Sequence, residues 1–248
     1  MKYWLGSCLL LGSWIVGCSS NDTATEADYD DIAQAVSALI TTDSGGGEVG
    51  SMYDATAIAT GTSDINTGAT GKYAGKHLGL EYEYEVDCVG AEGDASKRCG
   101  RATDHANAKV NWSGNLELPH VSASVQREGE WNLSDIQSGI AEFNGSGMFD
   151  LDVQIQSLFR ITSRDYQVSY SAQYTKVKFE ISRRRITGGT INYVIDAQRL
   201  VSGPRRESSA NFHMDGLVEF AEDGQATLTL DKSFRYTIDT ESGLVVKK

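Results

Sequence analysis

Apolar and polar side chains alternate with a period of two along most of the chain after residue 77. In the clearest stretch, from Leu78 to Cys88, apolar or aromatic residues occupy every even position, and from residue 81 onward glutamate or aspartate occupies every odd position. This pattern is typical of a β-strand with one buried and one solvent-facing side. Similar stretches recur to the end of the chain and predict roughly ten to twelve strands, without the strand–helix rhythm of a parallel sheet.

Three positions in this region predict where the strands turn or become irregular. The apolar residues change from even to odd numbers near Thr175-Lys176, which predicts a bulge or a tight turn there. Gly188-Gly189 predicts a hairpin turn, and Asp223-Gly224 gives the strongest hairpin signal in the chain.

A helical pattern precedes the strands. Apolar residues between Tyr29 and Ile40 follow the i, i+3, i+4, i+7 spacing of an amphipathic helix, which we expect to cover residues 26–44. Thr25 and Asp28 resemble a capping box, and several acidic residues fill the first turn, where the helix dipole favours anions. The apolar stripe of this helix is expected to pack against the sheet.

The region between helix and strands, residues 45–77, is rich in Gly, Ser and Thr and is interpreted as a connector, with one weak strand at Ala57 to Ala59. Residues 78–248 then form the β domain. The predicted fold class is all-β: an antiparallel meander that forms a curved sheet, a sandwich or a barrel, with one N-terminal amphipathic helix.

The first 25 residues predict export and a lipid anchor. Residues 1–17 combine a lysine with a short apolar run, as in a secretory signal. Ile15-Val16-Gly17-Cys18 resembles the lipobox of bacterial lipoproteins. The resemblance implies that Cys18 is acylated and that residues 18–25 tether the body to a membrane. Ser19, where an Asp would signal inner-membrane retention, favours the outer membrane; an ordinary signal peptide is the alternative.

Charge narrows the classes of partner. The formal net charge is −12, which does not suit nucleic acid or an anionic lipid surface. The lipobox and Ser19 give the expected location, which is the cell envelope at the outer membrane, on either of its faces. The lipid would link the protein to the membrane, and a protein or a hydrophobic ligand is the possible further partner.

Of the four cysteines, Cys8 belongs to the predicted signal and Cys18 is the predicted lipidation site, which leaves Cys88 and Cys99. An exported protein meets an oxidising compartment, so we expect these two residues to form a disulfide around a polar loop. A redox-active pair is the alternative, although catalytic pairs usually have C-x-x-C spacing.

Three short motifs are similar to those of uncharacterised lipoproteins of the myxobacterial type. They are Gly45-Gly46-Gly47-Glu48-Val49-Gly50, Arg98-Cys99-Gly100 and Ile186-Thr187-Gly188-Gly189-Thr190-Ile191. This resemblance implies no activity and no catalytic residue.

The body contains no catalytic or metal-binding motif, and we predict neither a cofactor nor a metal. Tyr82, Tyr84, Tyr170 and Tyr193 fall on apolar strand faces, where they either line a ligand pocket or belong to ordinary core. The first hypothesis is a lipid-anchored, non-catalytic structural or binding module. The alternatives are a carrier of a lipid or small hydrophobic ligand in a β cavity, and an envelope hydrolase whose site forms only on folding.

Overall fold

The computed structural model describes residues 23–41, 47–63, 72–77, 80–90, 95–96, 99–118, 120–156, 159, 163–203 and 206–248. The predicted signal, the lipobox and Cys18 lie outside these ranges, as do residues 45, 46 and 98 of the motifs shared with other lipoproteins.

The described chain contains two helices, one 3₁₀ turn at Ile136–Ser138 and twelve strands. Helix α1 covers Glu26–Ile40 and helix α2 covers Gly47–Thr60. The strands are β1 (Lys72–His77), β2 (Leu80–Gly90), β3 (Ala95–Ser96), β4 (Thr103–Leu118), β5 (Val121–Ser134), β6 (Ile140–Gln156), β7 (Ser163–Glu180), β8 (Arg185–Gly203), β9 (Arg206–Phe220), β10 (Gln225–Leu230), β11 (Phe234–Asp239) and β12 (Val245–Lys247).

The strands form one curved antiparallel sheet. Neighbouring strands are hydrogen-bonded in the order β1-β2-β4-β5-β6-β7-β8-β9-β10-β11-β12. The short β3 lies off this order and pairs with β2. The predicted all-β antiparallel meander is therefore confirmed, and the curved sheet is the arrangement that the chain adopts among the three left open.

Burial alternates along the strands as the sequence pattern predicts. In β6, for example, Phe149, Leu151 and Val153 are buried while the residues between them are exposed. We call the buried side of the sheet its inner face and the solvent side its outer face. Both helices contribute buried residues to the same hydrophobic core as the inner face.

Helix α1 begins as predicted and ends earlier. The backbone N–H and the hydroxyl of Thr25 each lie 2.7 Å from the Asp28 carboxylate, which fixes the first turn. The helix ends at Ile40, because Thr41 already has an extended backbone. Its burial is not limited to an apolar stripe, since Asp28, Asp30 and Asp31 are buried as well.

The interpretation of residues 45–77 as a connector is wrong in two places. Residues from Gly47 to Thr60 form α2, which includes the expected weak strand at Ala57 to Ala59, and β1 occupies Lys72–His77. Buried side chains are spread around α2, so it lacks the one-sided periodicity that marks an amphipathic helix. Tertiary packing outweighs the weak helix propensity of its Gly, Ser and Thr residues.

Two of the three predicted turn positions are confirmed. Lys176 has φ 49°, and the pairing of β7 with β8 shifts between Thr175 and Lys178, so a bulge lies there. Gly224, with φ 84°, joins β9 to β10. Gly188-Gly189 does not form a hairpin turn: it lies inside β8 opposite this bulge, and the chain turns before Arg185 instead.

The predicted disulfide joins Cys88 to Cys99 across a sequence separation of 11. The bridge links β2 to the segment that follows β3. Cys88 also faces Ser96 in the pairing of β2 with β3. Neither described helix has the length and apolar character needed to cross a bilayer.

Candidate functional site

The four tyrosines singled out in the sequence lie on the inner side of the sheet as two pairs. Tyr170 and Tyr193 are buried on neighbouring strands with their ring centroids 6.0 Å apart. Tyr82 and Tyr84 lie on β2 with centroids 5.6 Å apart. The Tyr84 hydroxyl donates to Asp54 of α2 at 3.0 Å, so this pair lies against the helix.

A cation occupies the inner face between these pairs. Arg127 points inward from β5, and its side chain is fully buried. It belongs to a row of directly paired residues that crosses the sheet from β4 to β9. Its guanidinium carbon lies 4.4 Å from the centre of the Trp131 ring and 5.1 Å from that of Phe149. The row consists of Trp112, Arg127, Phe149, Tyr170, Ile195 and Met214.

Glu48 of α2 supplies the opposite charge. Its Oε2 accepts a hydrogen bond from Arg127 Nη2 at 3.2 Å, and its Oε1 accepts one from the Tyr174 hydroxyl. The carboxylate is fully buried. A buried ion pair of this kind gains from its short distance but loses the hydration of both charges.

The electrostatic surroundings keep the arginine charged and the phenols neutral. Burial opposes the charge on Arg127, but Glu48 and Tyr174 outweigh it and raise the pKa of the guanidinium. Burial raises the pKa of the Tyr174 hydroxyl, and the Glu48 carboxylate adds to this rise. The pKa of Tyr193 is raised by burial, by Glu48 and by Tyr170.

The inner face around Arg127 holds more hydrogen-bond donors than acceptors. Several buried donor atoms have no partner among the described residues, namely Arg127 Nε and Nη1, Trp112 Nε1, Trp131 Nε1 and the hydroxyls of Tyr170 and Tyr193. Leaving a buried donor unpaired costs about 1–3 kcal/mol. We call Glu48, Arg127, Trp131, Tyr170, Tyr174 and Tyr193 the inner polar cluster.

A row of small residues makes room for this cluster. Gly129, Gly147 and Ala172 are paired across β5, β6 and β7 on the inner face, next to the row of Arg127. A Cβ at Gly129 would lie 3.2 Å from Arg127 Nη2, and one at Gly147 would lie 3.3 Å from the Tyr174 hydroxyl. The glycines thus leave a trough in which the polar side chains lie.

A second group of buried charges anchors α1. Arg199 Nη1 lies 2.6 Å from Asp28, and Arg164 Nη1 lies 3.4 Å from Asp31. The Tyr166 hydroxyl lies 2.8 Å from the same Asp31 oxygen. Because β7 and β8 supply these partners, the acidic first turn of α1 is bound to the sheet instead of facing solvent.

The outer face carries an open groove of about 920 Å³ that crosses β4 to β9. Its floor includes one row of exposed, mutually paired side chains, with a second polar row beside it. Side chains within the first row contact one another, as Ser169 Oγ does at 2.6 Å from Asp150. The first row consists of Ser113, Gln126, Asp150, Ser169, Asp196 and His213.

The charge in this groove is mainly negative. Asp150, Asp152 and Asp196 line it, and His213 is the titratable base beside them. His213 Nδ1 lies 2.8 Å from Asp196, whose hydrogen bond raises the pKa of the imidazole above its usual value. Within the described chain, no group of three or more His, Cys, Asp or Glu residues is arranged to hold a metal ion.

Sequence reasoning missed the two charges at the centre of the inner polar cluster. Arg127 does carry a signal, because it occupies an inward position in the alternation of Val125 and Trp131. Glu48 carries none, since it lies in the glycine-rich segment that the sequence predicts as a connector. Comparison of the chain with protein-family models, curated proteins and solved structures gave no match.

Proposed function

We propose that the protein is a lipid-anchored, non-catalytic binding module of the bacterial cell envelope, and that the outer groove binds a neutral or amino-sugar glycan. The lipobox at residues 15–18 supports the anchor and the compartment. The observation that supports binding is the ordered row of short polar side chains along the groove.

The chemistry of the groove favours sugars. Its first row carries hydroxyl, amide, carboxylate and imidazole groups. The hydroxyl and amide groups both donate to and accept from sugar hydroxyls, and the carboxylates accept from them. Strand pairing places these side chains about 5 Å apart from strand to strand, so they can follow an extended polymer. The lining residues include no Trp, Tyr or Arg, the residues that dominate protein–protein hot spots.

The negative charge of the groove determines which glycans it can bind. The aspartates favour neutral sugars or protonated amino groups and repel sulfated or carboxylated polymers. The preference for amino sugars should weaken at high salt, because exposed charges are screened.

Calorimetric titration of the full chain, in a detergent without a sugar headgroup, tests the proposal. We expect binding of N-acetylglucosamine oligomers and of their deacetylated forms, but not of heparin. Gln126→Ala should weaken binding by about 2- to 10-fold, the effect of one lost hydrogen bond.

Asn132→Ala is the matched control, because Asn132 is exposed on the same strand and outside the groove. It should leave affinity unchanged. Equal losses in the two variants, or tighter binding of heparin than of the neutral oligomer, would contradict a role for the groove.

A further inference from the structure

The inner polar cluster is independent of the outer groove and carries a second inference. We infer that the trough on the inner face is a binding site for the anionic headgroup of an amphiphile, and that Glu48 occupies the headgroup position in this structure.

The excess of donors indicates the chemistry of the ligand. Glu48 offers two oxygens, which already serve Arg127 and Tyr174. Further donors on Arg127, Tyr170 and Tyr193 are buried without partners in the described chain. A phosphate group has more acceptor oxygens than a carboxylate and can take two parallel hydrogen bonds from a guanidinium.

The positions of these donors fit a single headgroup. Arg127 and Tyr170 belong to one row on the inner face, separated by Phe149. Tyr193 faces Tyr170 from β8. The small residues Gly129, Gly147 and Ala172 lie beside this row, and the Arg127 and Tyr174 side chains reach into the space that the two glycines leave.

The surroundings indicate an apolar tail. The residues that continue the inner face beyond the cluster are large and apolar, and they form one core with the helices. A ligand that entered from the α2 side would place its headgroup on Arg127 and its chain along Phe149, Ile195 and Met214. Free phosphate has no part that would gain from this surface.

Helix α2 is the element that must move. Its inward residues are largely small, such as Ala55 and Ala59, so the helix buries less apolar area than a leucine-rich helix would. Its polar contacts with the rest of the protein include Glu48 with Arg127 and Tyr174, Asp54 with Tyr84, and Tyr53 with Arg184. A headgroup that replaces Glu48 takes over the strongest of these contacts.

Competition with Glu48 predicts the effect of a substitution. In the full chain, held in amphipol, dodecyl phosphate binding is followed through tryptophan fluorescence, because Trp112 and Trp131 carry two of the unpaired donors. Glu48→Gln should tighten binding by about tenfold, since the bound charge no longer competes. Glu128→Gln, the same change at an exposed position next to Arg127 on β5, should alter it less than about twofold.

A neutral amphiphile and a free anion distinguish the contribution of the headgroup to binding from that of the tail. Dodecyl maltoside and inorganic phosphate should each bind at least about tenfold more weakly than dodecyl phosphate. Adding Arg127→Met to Glu48→Gln should remove the preference for the phosphate headgroup over maltoside. An unchanged preference, or equally tight binding of inorganic phosphate, would overturn the inference.

A measurement on the unaltered chain covers the case in which these variants fail to fold. Dodecyl phosphate should speed hydrogen exchange at the amides of Gly47–Thr60, whereas dodecyl maltoside should not. If dodecyl phosphate leaves the rate of amide hydrogen exchange in α2 unchanged, the inference is rejected. Buried water would then be the partner of the donors on the inner face.

Discussion

Gly145 on β6 illustrates how one residue restricts packing of the inner face. It has φ 154°, and a Cβ built there would overlap the backbone carbonyl oxygen of Glu130 on the neighbouring strand. The register between β6 and β7 shifts beside it. A side chain at this position therefore cannot be accommodated by a rotamer change alone, because the obstacle is backbone.

Gly145→Ala should lower the free energy of unfolding by about 2 kcal/mol, since backbone must move to admit the methyl group. Chemical denaturation followed by circular dichroism measures this. Gly188→Ala is the control, because its nearest neighbour is the Lys178 side chain at 3.6 Å, and it should change stability by less than about 0.5 kcal/mol. Equal effects in both variants would show that the backbone contact is unimportant.

At the scale of the element, α1 is held by buried charge at its first turn. The Asp28 carboxylate accepts hydrogen bonds from Thr25 and from Arg199. Burial alone would raise the pKa of Asp28, but these hydrogen bonds outweigh it and hold the pKa below its ordinary value. A carboxyl group with a lowered pKa stabilises the folded state as long as it stays ionised.

The stability from Asp28 should therefore be complete above its unfolded pKa of about 3.9 and disappear as pH falls through the lower folded value. Asp28→Asn should cost about 3 kcal/mol at pH 7, because Arg199 loses its charged partner. The variant should also lose less stability than the parent between pH 5 and 2.

Glu26→Gln is the control in the same turn, because Glu26 is exposed and its ion pair among the described residues is with Lys247. It should cost less than about 1 kcal/mol. If urea unfolding at several pH values shows the same acid dependence in the parent and in Asp28→Asn, the carboxylate of Asp28 is not the group that titrates.

At the scale of the whole molecule, the two faces of the sheet differ in what they present. The inner face is covered by α1 and α2 and holds a buried cation, whereas the outer face is open and polar. The two proposed sites therefore lie on opposite sides of one sheet, and a ligand on one side does not exclude a ligand on the other.

The proposed anchor predicts how the whole protein partitions. Cys18→Ala should abolish incorporation of labelled fatty acid and slow removal of residues 1–17, because the acylated thiol is missing. Membrane fractionation with fatty-acid labelling measures both effects. Cys8→Ala, within the same segment, should leave both unchanged. Continued labelling of the Cys18 variant would contradict the lipobox interpretation.

Much of the sheet was predictable because its strands alternate strictly. Val121, Val125 and Trp131 share a parity in the sequence and a buried face in the structure. The bulge at Lys176 was visible as a change of parity. Tyr170 and Tyr193 are candidates on the sequence alone, but the electrostatic effect of Glu48 on Tyr193 was not predictable, since α2 is far from β8 in the chain.

The sequence by itself determined the period of most strands, the side that most of their residues face, the acidic balance and the expected pairing of Cys88 with Cys99. These properties are local, except that the cysteine pairing follows by elimination from the predicted signal and lipidation site. Tertiary structure alone decided that residues 47–60 form a helix, that the acids of α1 are buried, and that Glu48 meets Arg127. Periodicity reports which side of an element is buried, but the partner that covers that side is chosen by contacts between distant segments.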